Sequence, residues 1–515
     1  MFKTQWRRLA AKFLKPVAFA AALFGFAVGP TVGGAAASKQ EITVAFGVDP
    51  TSLNPLASTS IPGRSVINHI FDKLVWFDLN GNLIPKLAVS WSFIEPTVLE
   101  LKLRDGVKWH NGKAFTAKDV KFTLDSIRAP SRPNWMTASF KPISEVKIVD
   151  PLTVHIITKA PNRSLLRNLS LVEVVSKDVF ENEPDTVQTR PVGTGPFLFV
   201  SYTPGDRVIV ERNPNYWGGA PKLERITVRV IQEAGTRLAE LRSGNVDFID
   251  NVPVDEISTV EQQADLDLLA GPSLRVMYVA LKTQRPPFND PRVRRAAHYA
   301  IDKQAIVDHL LDGRTTVANT PVAPQIPGHH EGIEAWPHDP EKARSQLKEA
   351  GALGAEIVVA YPQGRYLMDK QVGEAIAAYL QAAGFTVKQE SPEWGIYYTT
   401  LRTGNDAPYD VGLVGWGGDT GDPNWVLWEH FYSSSAAKQT GYSDERVDRL
   451  LEEALQTLDE KKAMALYREV QEIVVQASSW IPLYMQPNVW AKNKRLKGFD
   501  LRPDEFIIFT NSYVE

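Results

Sequence analysis

The segment Glu356–Glu390 constrains the fold more than any other part of the chain. "EIVVAY" alternates and ends in apolar residues as a strand does, "DKQVGEAIAAYLQAAG" carries helical spacing, and "FTVKQE" returns to a strand. Gly384 stands where a helix needs a left-handed stop. A strand, a helix and a strand in that order require a crossover and hence a parallel sheet. "EITVAF" (41–46) and "RITVRVI" (225–231) add alternating strands. In 443–458, Val447, Leu450, Leu451, Ala454, Leu455 and Leu458 form one apolar helical stripe, with Ser443 expected as its cap. Asp290 with Pro291, and Thr116, read as further helix starts. The class is therefore α/β. Its 515 residues predict roughly three domains.

The first residues are of another kind. Lys3, Arg7, Arg8, Lys12 and Lys15 precede an apolar run, Pro16–Pro30, and then "TVGGAAASKQ". This is the pattern of a secretory signal peptide over 1–37, cut after Ala37. The run is shorter than the roughly 20 residues a membrane span needs. Loss of those five cations takes the net charge from −3 to −8. An acidic chain with no basic face is a poor nucleic-acid binder. There is no cysteine, so disulfides, thiolate metal sites, cysteine nucleophiles and an N-terminal lipid anchor on cysteine are excluded. The expected product is a free protein of a bacterial periplasm.

Catalytic patterns are missing. G-x-S-x-G, H-E-x-x-H and G-x-x-x-x-G-K-[ST] do not occur. "HHEG" (329–332) reads as a solvated loop rather than a metal site. "GWGGDTG" has the wrong glycine spacing for a dinucleotide loop, and Pro423 stands where a helix should open. No cofactor, metal or catalytic residue is expected.

Several stretches together resemble one family. "GNLIPKLAVSWSF" (81–93), "LKLRDGVKWHNGKAFTAKDVKFTLDSI" (101–127), "PVGTGPFLF" (191–199), "RNPNYWGGAPKLERI", "LRSGNVDFID" and "PPFNDPRVRRAAHYAIDKQAIV" (286–307) are similar, in order, to the family 5 bacterial extracellular solute-binding proteins, the peptide, nickel and opine receptors of ABC importers. The resemblance implies a two-lobed periplasmic binding protein fold of type II, with an extra subdomain in the first lobe and hinge closure over a central cleft. The expected division is 38–72, 171–276 and 489–515 for the first lobe, 73–170 for its inserted subdomain, and 277–488 for the second lobe. The implied function is capture of a di- or oligopeptide, or a similar amine-bearing solute, for delivery to a membrane permease, with the receptor a monomer. An opine, a sugar conjugate, glutathione or a nickel chelate is the alternative ligand, and a secreted hydrolase the remote one.

"GWGGDTGDPN" (415–424) is the expected clamp. In peptide-binding members the matching loop supplies an aspartate to the ligand ammonium, and carried over by position it is Asp419. A carboxylate accepts the three ammonium donors with charge assistance. Gly415, Gly417 and Gly418 would let an extended ligand lie close, and Trp416 would pack on it. Asp422 reads as a structural Asp-Pro turn, and Trp425 and Trp428 as core. Arg365 and Lys370, between a strand and the crossover helix, are candidates for a ligand carboxylate. Ser58 and Thr59 are candidates from the other lobe.

Overall fold

A computed structural model describes residues 39–515 except Thr51, Thr59, 130–133, 404–405 and 436–438. The signal segment 1–37 and Thr59 therefore lie outside the described residues. The main sheet has ten strands in the spatial order Thr386–Glu390, Glu356–Ala360, Val411–Gly417, Leu266–Leu281, Trp480–Asn493, Phe248–Ile249, Glu41–Phe46, Arg225–Val230, Arg207–Arg212 and Phe197–Thr203.

The crossover expected at Glu356–Glu390 is present. Glu356–Ala360 pairs parallel with Thr386–Glu390, and helix Asp369–Ala383 joins them and ends at Gly384, φ 119°. Val372, Ile376, Ala377 and Leu380 are buried at helical spacing against the sheet. Strand Val411–Gly417 lies on the other side of Glu356–Ala360, also parallel. The far half of the sheet is seeded by Glu41–Phe46, parallel to both Arg225–Val230 and Phe248–Ile249.

Two long strands tie the halves. Leu266–Leu281 and Trp480–Asn493 pair antiparallel from Leu266↔Asn493 to Ala280↔Trp480. Residues 275–281 of the first also pair with Val411–Gly417. Lys492 and Ala491 of the second pair with Phe248–Ile249. Pro272 faces Pro487, and the ladder loses register between Pro272 and Val276; a proline cannot donate to the ladder.

A separate four-stranded antiparallel sheet, in the order Ala88–Glu95, Val98–Leu103, Thr153–Thr158, Ile143–Asp150, packs with helix Ala117–Arg128. It has its own apolar cluster, which includes Leu101, Trp109, Val120, Leu124 and Phe140, and which reaches Trp425 of the distant helix Pro423–Phe431. Thr116 caps the helix with Asp119 in a reciprocal capping box, as its sequence suggests.

Two local expectations fail. Asp444, not Ser443, caps Glu445–Gln456: its carboxylate accepts from Arg446 N and Val447 N. A carboxylate at the positive helix end outcompetes a hydroxyl one residue earlier. Pro423 does open a helix, Pro423–Phe431, with Asp422 as its cap; proline suits a first helical position, where no N–H is needed. The glycines of "GTGP" (193–196) lie against a helix end. A Cβ at Gly193 would lie 1.8 Å from Ile70 O, and Gly195 N donates to that carbonyl, so these glycines allow backbone to lie against a helix end.

Candidate functional site

The clamp loop grows from the end of strand Val411–Gly417, which is held on its neighbour Leu266–Leu281. Its glycines have separate tasks. A Cβ on Gly415 would fall 2.4 Å from Met277 Sδ and 2.7 Å from Arg275 Cδ, so the missing side chain lets Arg275 cross the strand. A Cβ on Gly417 would meet Asp419 Oδ1, which folds back over the strand end. Gly418 N donates to Leu274 O. Gly421, at φ 60°, completes the turn into Asp422 and helix Pro423–Phe431.

Facing this loop is helix Ile61–Ile70, capped by Ser60, all ten of whose residues are buried. Arg64 leaves it as a charge with only 2 % of its side chain exposed. Its Nη2 donates to Leu171 O at 3.1 Å and to Glu173 Oε1 at 3.3 Å. Its Nη1 lies 3.4 Å from Asp419 Oδ2. Lys73 Nζ also sits 2.9 Å from Glu173 Oε1. Burial would raise the Glu173 carboxyl, but the charges of Lys73 and Arg64 outweigh it and hold its pKa below the ordinary value. Asp419 goes the other way. Burial raises its pKa, against the pull of Arg64 and Arg275. Its side chain keeps 12 % exposure, toward the cleft.

Two further arginines converge. Arg275 gives Nε to Glu505 Oε2 at 2.7 Å and Nη1 to Gly415 O at 2.8 Å; burial would lower its pKa, yet Glu505 raises it. Arg365 is different. Its loop is nested on Asp369, whose carboxylate accepts from Gly364 N, Arg365 N and Tyr366 N. Its guanidinium lies 4.5 Å from the Tyr366 ring centre and 5.4 Å from that of Trp394. Only 7 % of Arg365 is exposed, its Nε has no hydrogen-bond partner, and among the described residues no carboxylate pairs with it. Burial accordingly lowers its pKa.

These groups line one pocket whose free volume is about 40 Å3. Arg64, Trp135, Arg275, Arg365, Trp416 and Asp419 are on its wall, with Gly415, Gly417, Trp394, Tyr398 and Trp425 between them. Trp425 stands 5.6 Å from Trp416 and 5.8 Å from Trp135, ring centre to ring centre. Trp425 is thus both core and cavity wall; Trp428 is buried and stacks on Tyr432. The wall offers flat apolar faces, one carboxylate and three guanidinium groups, a surface for a small zwitterionic or anionic solute.

Of the sequence candidates, Asp419, Trp416, Gly415, Gly417 and Arg365 meet at this cavity. Gly418 supports the turn behind it. Lys370 is exposed on the first turn of its helix, outside the wall. Ser58 is buried beside Gly63, also outside it. Asp422 is structural as expected: besides its capping bonds it accepts from Ser164 Oγ at 3.1 Å. Sequence reasoning did not find Arg64, Arg275, Trp135 or Trp394. The one available signal was a lone arginine in "SIPGRSVINHI", a segment with no acidic residue to pair with it locally. "HHEG" is a loop, with His330 Nε2 2.8 Å from Glu472, and no metal-binding cluster occurs among the described residues.

Contacts between the segment that follows strand Val411–Gly417 and the segments around the four-stranded sheet frame the pocket. Arg167 Nη1 donates to Thr420 O at 2.9 Å, and Ser139 Oγ to Glu429 Oε1 at 2.6 Å. A Cβ on Gly47 would lie 2.0 Å from Gly364 O, so two backbones meet there.

A family model, bacterial extracellular solute-binding proteins, family 5 (middle), matches residues 82–438. The glutathione-binding protein GsiB of Pectobacterium atrosepticum is 30% identical over 485 residues, covering 92% of this chain and 94% of the relative. The ABC transporter-associated periplasmic binding protein DppA from Helicobacter pylori, solved with the peptide STSA, superposes with a TM-score of 0.86 at 27% identity, covering 92% of this chain and 98% of its own. MoaA from A. tumefacien R10, solved with mannopinic acid, gives 0.85 at 25% identity, covering 93% and 100%. The fold is the type II periplasmic binding protein fold expected from the sequence.

Proposed function

We propose that this chain, which belongs to the bacterial extracellular solute-binding proteins of family 5, is the periplasmic receptor of an ABC importer for a short peptide or a similar amine-bearing solute. It holds the ligand ammonium on Asp419 and a ligand carboxylate on Arg365, and passes the ligand to a membrane permease. It performs no chemistry on it. The observation that carries the reading is the pocket wall: one partly exposed carboxylate, and a buried guanidinium with no ion pair among the described residues. A buried cation left unpaired is costly, so an incoming carboxylate gains most at Arg365. The similarity to glutathione-binding and peptide-binding proteins supports the same chemistry.

Capture proceeds by closure of 277–488 on 38–72, 171–276 and 489–515, the latter carrying the inserted subdomain 73–170. The two long strands are the crossings, and the register break between Pro272 and Val276 is where they bend. The receptor acts as a monomer, exported by its N-terminal segment.

Native mass spectrometry of the protein exported to a bacterial periplasm and purified without unfolding tests the reading. Bound masses that fit short peptides support it. A single bound mass that is no peptide keeps the receptor and moves the ligand to an opine, a sugar conjugate or a metal chelate.

A further inference from the structure

Arg64 and Asp419 come from opposite walls of the cleft and end 3.4 Å apart, Nη1 to Oδ2. That is long for a charge-assisted bond, which closes to about 2.7–2.9 Å. The two groups are neighbours without being locked together. Arg64 is anchored by its other arm: Nη2 serves Leu171 O and Glu173, while Asn68 and Lys73 hold Glu173 in turn. Its Nη1 has Asp419 as its one hydrogen-bond partner among the described residues, and both groups line the cavity.

We infer that the Arg64–Asp419 pair reads an amino-acid head group, an ammonium and a carboxylate on one carbon, and so selects γ-linked peptides over their α-linked isomers. The inference rests on the reading of Asp419 as the ammonium site and deepens it. In a free amino-acid head the nitrogen and the carboxyl carbon are about 2.5 Å apart, from two bonds of about 1.5 Å at about 111°. Such a head can set its ammonium on Asp419 and its carboxylate on Arg64 Nη1 at once, four charges alternating in sign. An ordinary peptide N-terminus has the ammonium, but the same carbon bears a neutral amide. Its carbonyl is a weaker acceptor for a guanidinium than a carboxylate is. A peptide joined through a γ-carboxyl keeps the whole head. The charges also close: a γ-glutamyl peptide brings one ammonium to Asp419 and two carboxylates, one for Arg64 and one for Arg365, whereas Arg275 is already taken by Glu505.

The test compares two isomers of equal mass and net charge, with Ala-Ala as a free-amine control. Purified protein is titrated with γ-Glu-Ala, α-Glu-Ala and Ala-Ala, following tryptophan fluorescence, since Trp135, Trp416 and Trp425 line the cavity. The γ isomer is expected to bind roughly tenfold tighter than the α isomer, or more. Arg64→Lys should collapse that ratio, because a single ammonium goes to Glu173 and leaves no second arm; a role in packing alone would not change it. Equal affinities, or a preference for the α isomer, overturn the inference. So does binding of Ala-Ala without binding of γ-Glu-Ala; the ammonium reading then stands. If no free-amine probe binds, both fall. The ratio in the unsubstituted protein decides the matter even where Arg64→Lys fails to fold.

Discussion

Asp419→Asn separates binding from folding at the clamp. Removing one partner of a buried charge pair costs about 2–5 kcal/mol. Asp419 keeps 12 % exposure and shares its charge with Arg64 at 3.4 Å, which places the loss in the lower part of that range, about 2–3 kcal/mol, or roughly 30- to 150-fold in Kd. Stability moves otherwise. Burial raises the pKa of Asp419 above its ordinary value. A carboxyl raised in this way favours the folded state when protonated, and that contribution is lost as pH rises through the folded pKa. At pH 7 the neutral asparagine relieves the cost, while Arg64 retains Glu173 and Leu171 O. The melting temperature of the empty protein should therefore stay level or rise slightly. Isothermal titration with glutathione at pH 7, beside thermal melts without ligand, measures both. A Kd within threefold of the original refutes the ammonium clamp. A large fall in melting temperature shows that the carboxylate is structural and refutes the energetic argument instead.

The other predictions concern groups around the same cleft. Arg365→Met should weaken glutathione binding by roughly 10- to 100-fold, with the melting temperature unchanged or higher because an unpaired buried cation is removed; titration beside a melt checks it, and undiminished affinity would show that the ligand carboxylate goes elsewhere. Glu429 is fully buried against Ser139, and burial takes its pKa from 4.5 up to about 7, with the Ser139 hydroxyl opposing. Its contribution to stability is complete below about pH 4.5 and is lost as pH rises through 7, on the order of 3 kcal/mol over that window. Melts of Glu429→Gln and the unsubstituted protein between pH 4.5 and 8 should thus diverge in favour of glutamine as pH rises. A constant difference would mean that Glu429 does not take up a proton on folding.

The parts of the protein that were readable in the sequence are those whose causes are local. The crossover at Glu356–Glu390 announces itself through two periodicities and a glycine stop, and the chain forms it as read. The crowding of the loop at 415–424 is readable for a related reason: closely spaced glycines mark a place where backbone and side chains approach, and Gly415 and Gly417 each yield space to a named side chain. Arg365 could be found because strand-to-helix loops lie at the mouths of open sheets. Lys370 shares that loop's end, but one step into the helix the backbone turns its side chain to solvent. Position alone could not separate the two.

Arg64 shows where such reading stops. Its helix is buried on every side, so no polar face marks the arginine as facing a cleft. The charge is tolerated because Glu173 and Leu171 O, more than a hundred residues away, take one arm. Its second arm acquires a purpose only where Asp419, a further 246 residues on, comes within 3.4 Å. The local sequence of each segment is explained by the fold without reference to a ligand: a capped helix in one case, a turn before a helix in the other. On the proposed reading, recognition resides in the distance between them, and the two long strands that join the halves of the sheet are the connections through which that distance can change. A substitution in those crossings, far from any ligand atom, would therefore alter selectivity by changing how closely Arg64 and Asp419 approach, while leaving each group's own environment intact.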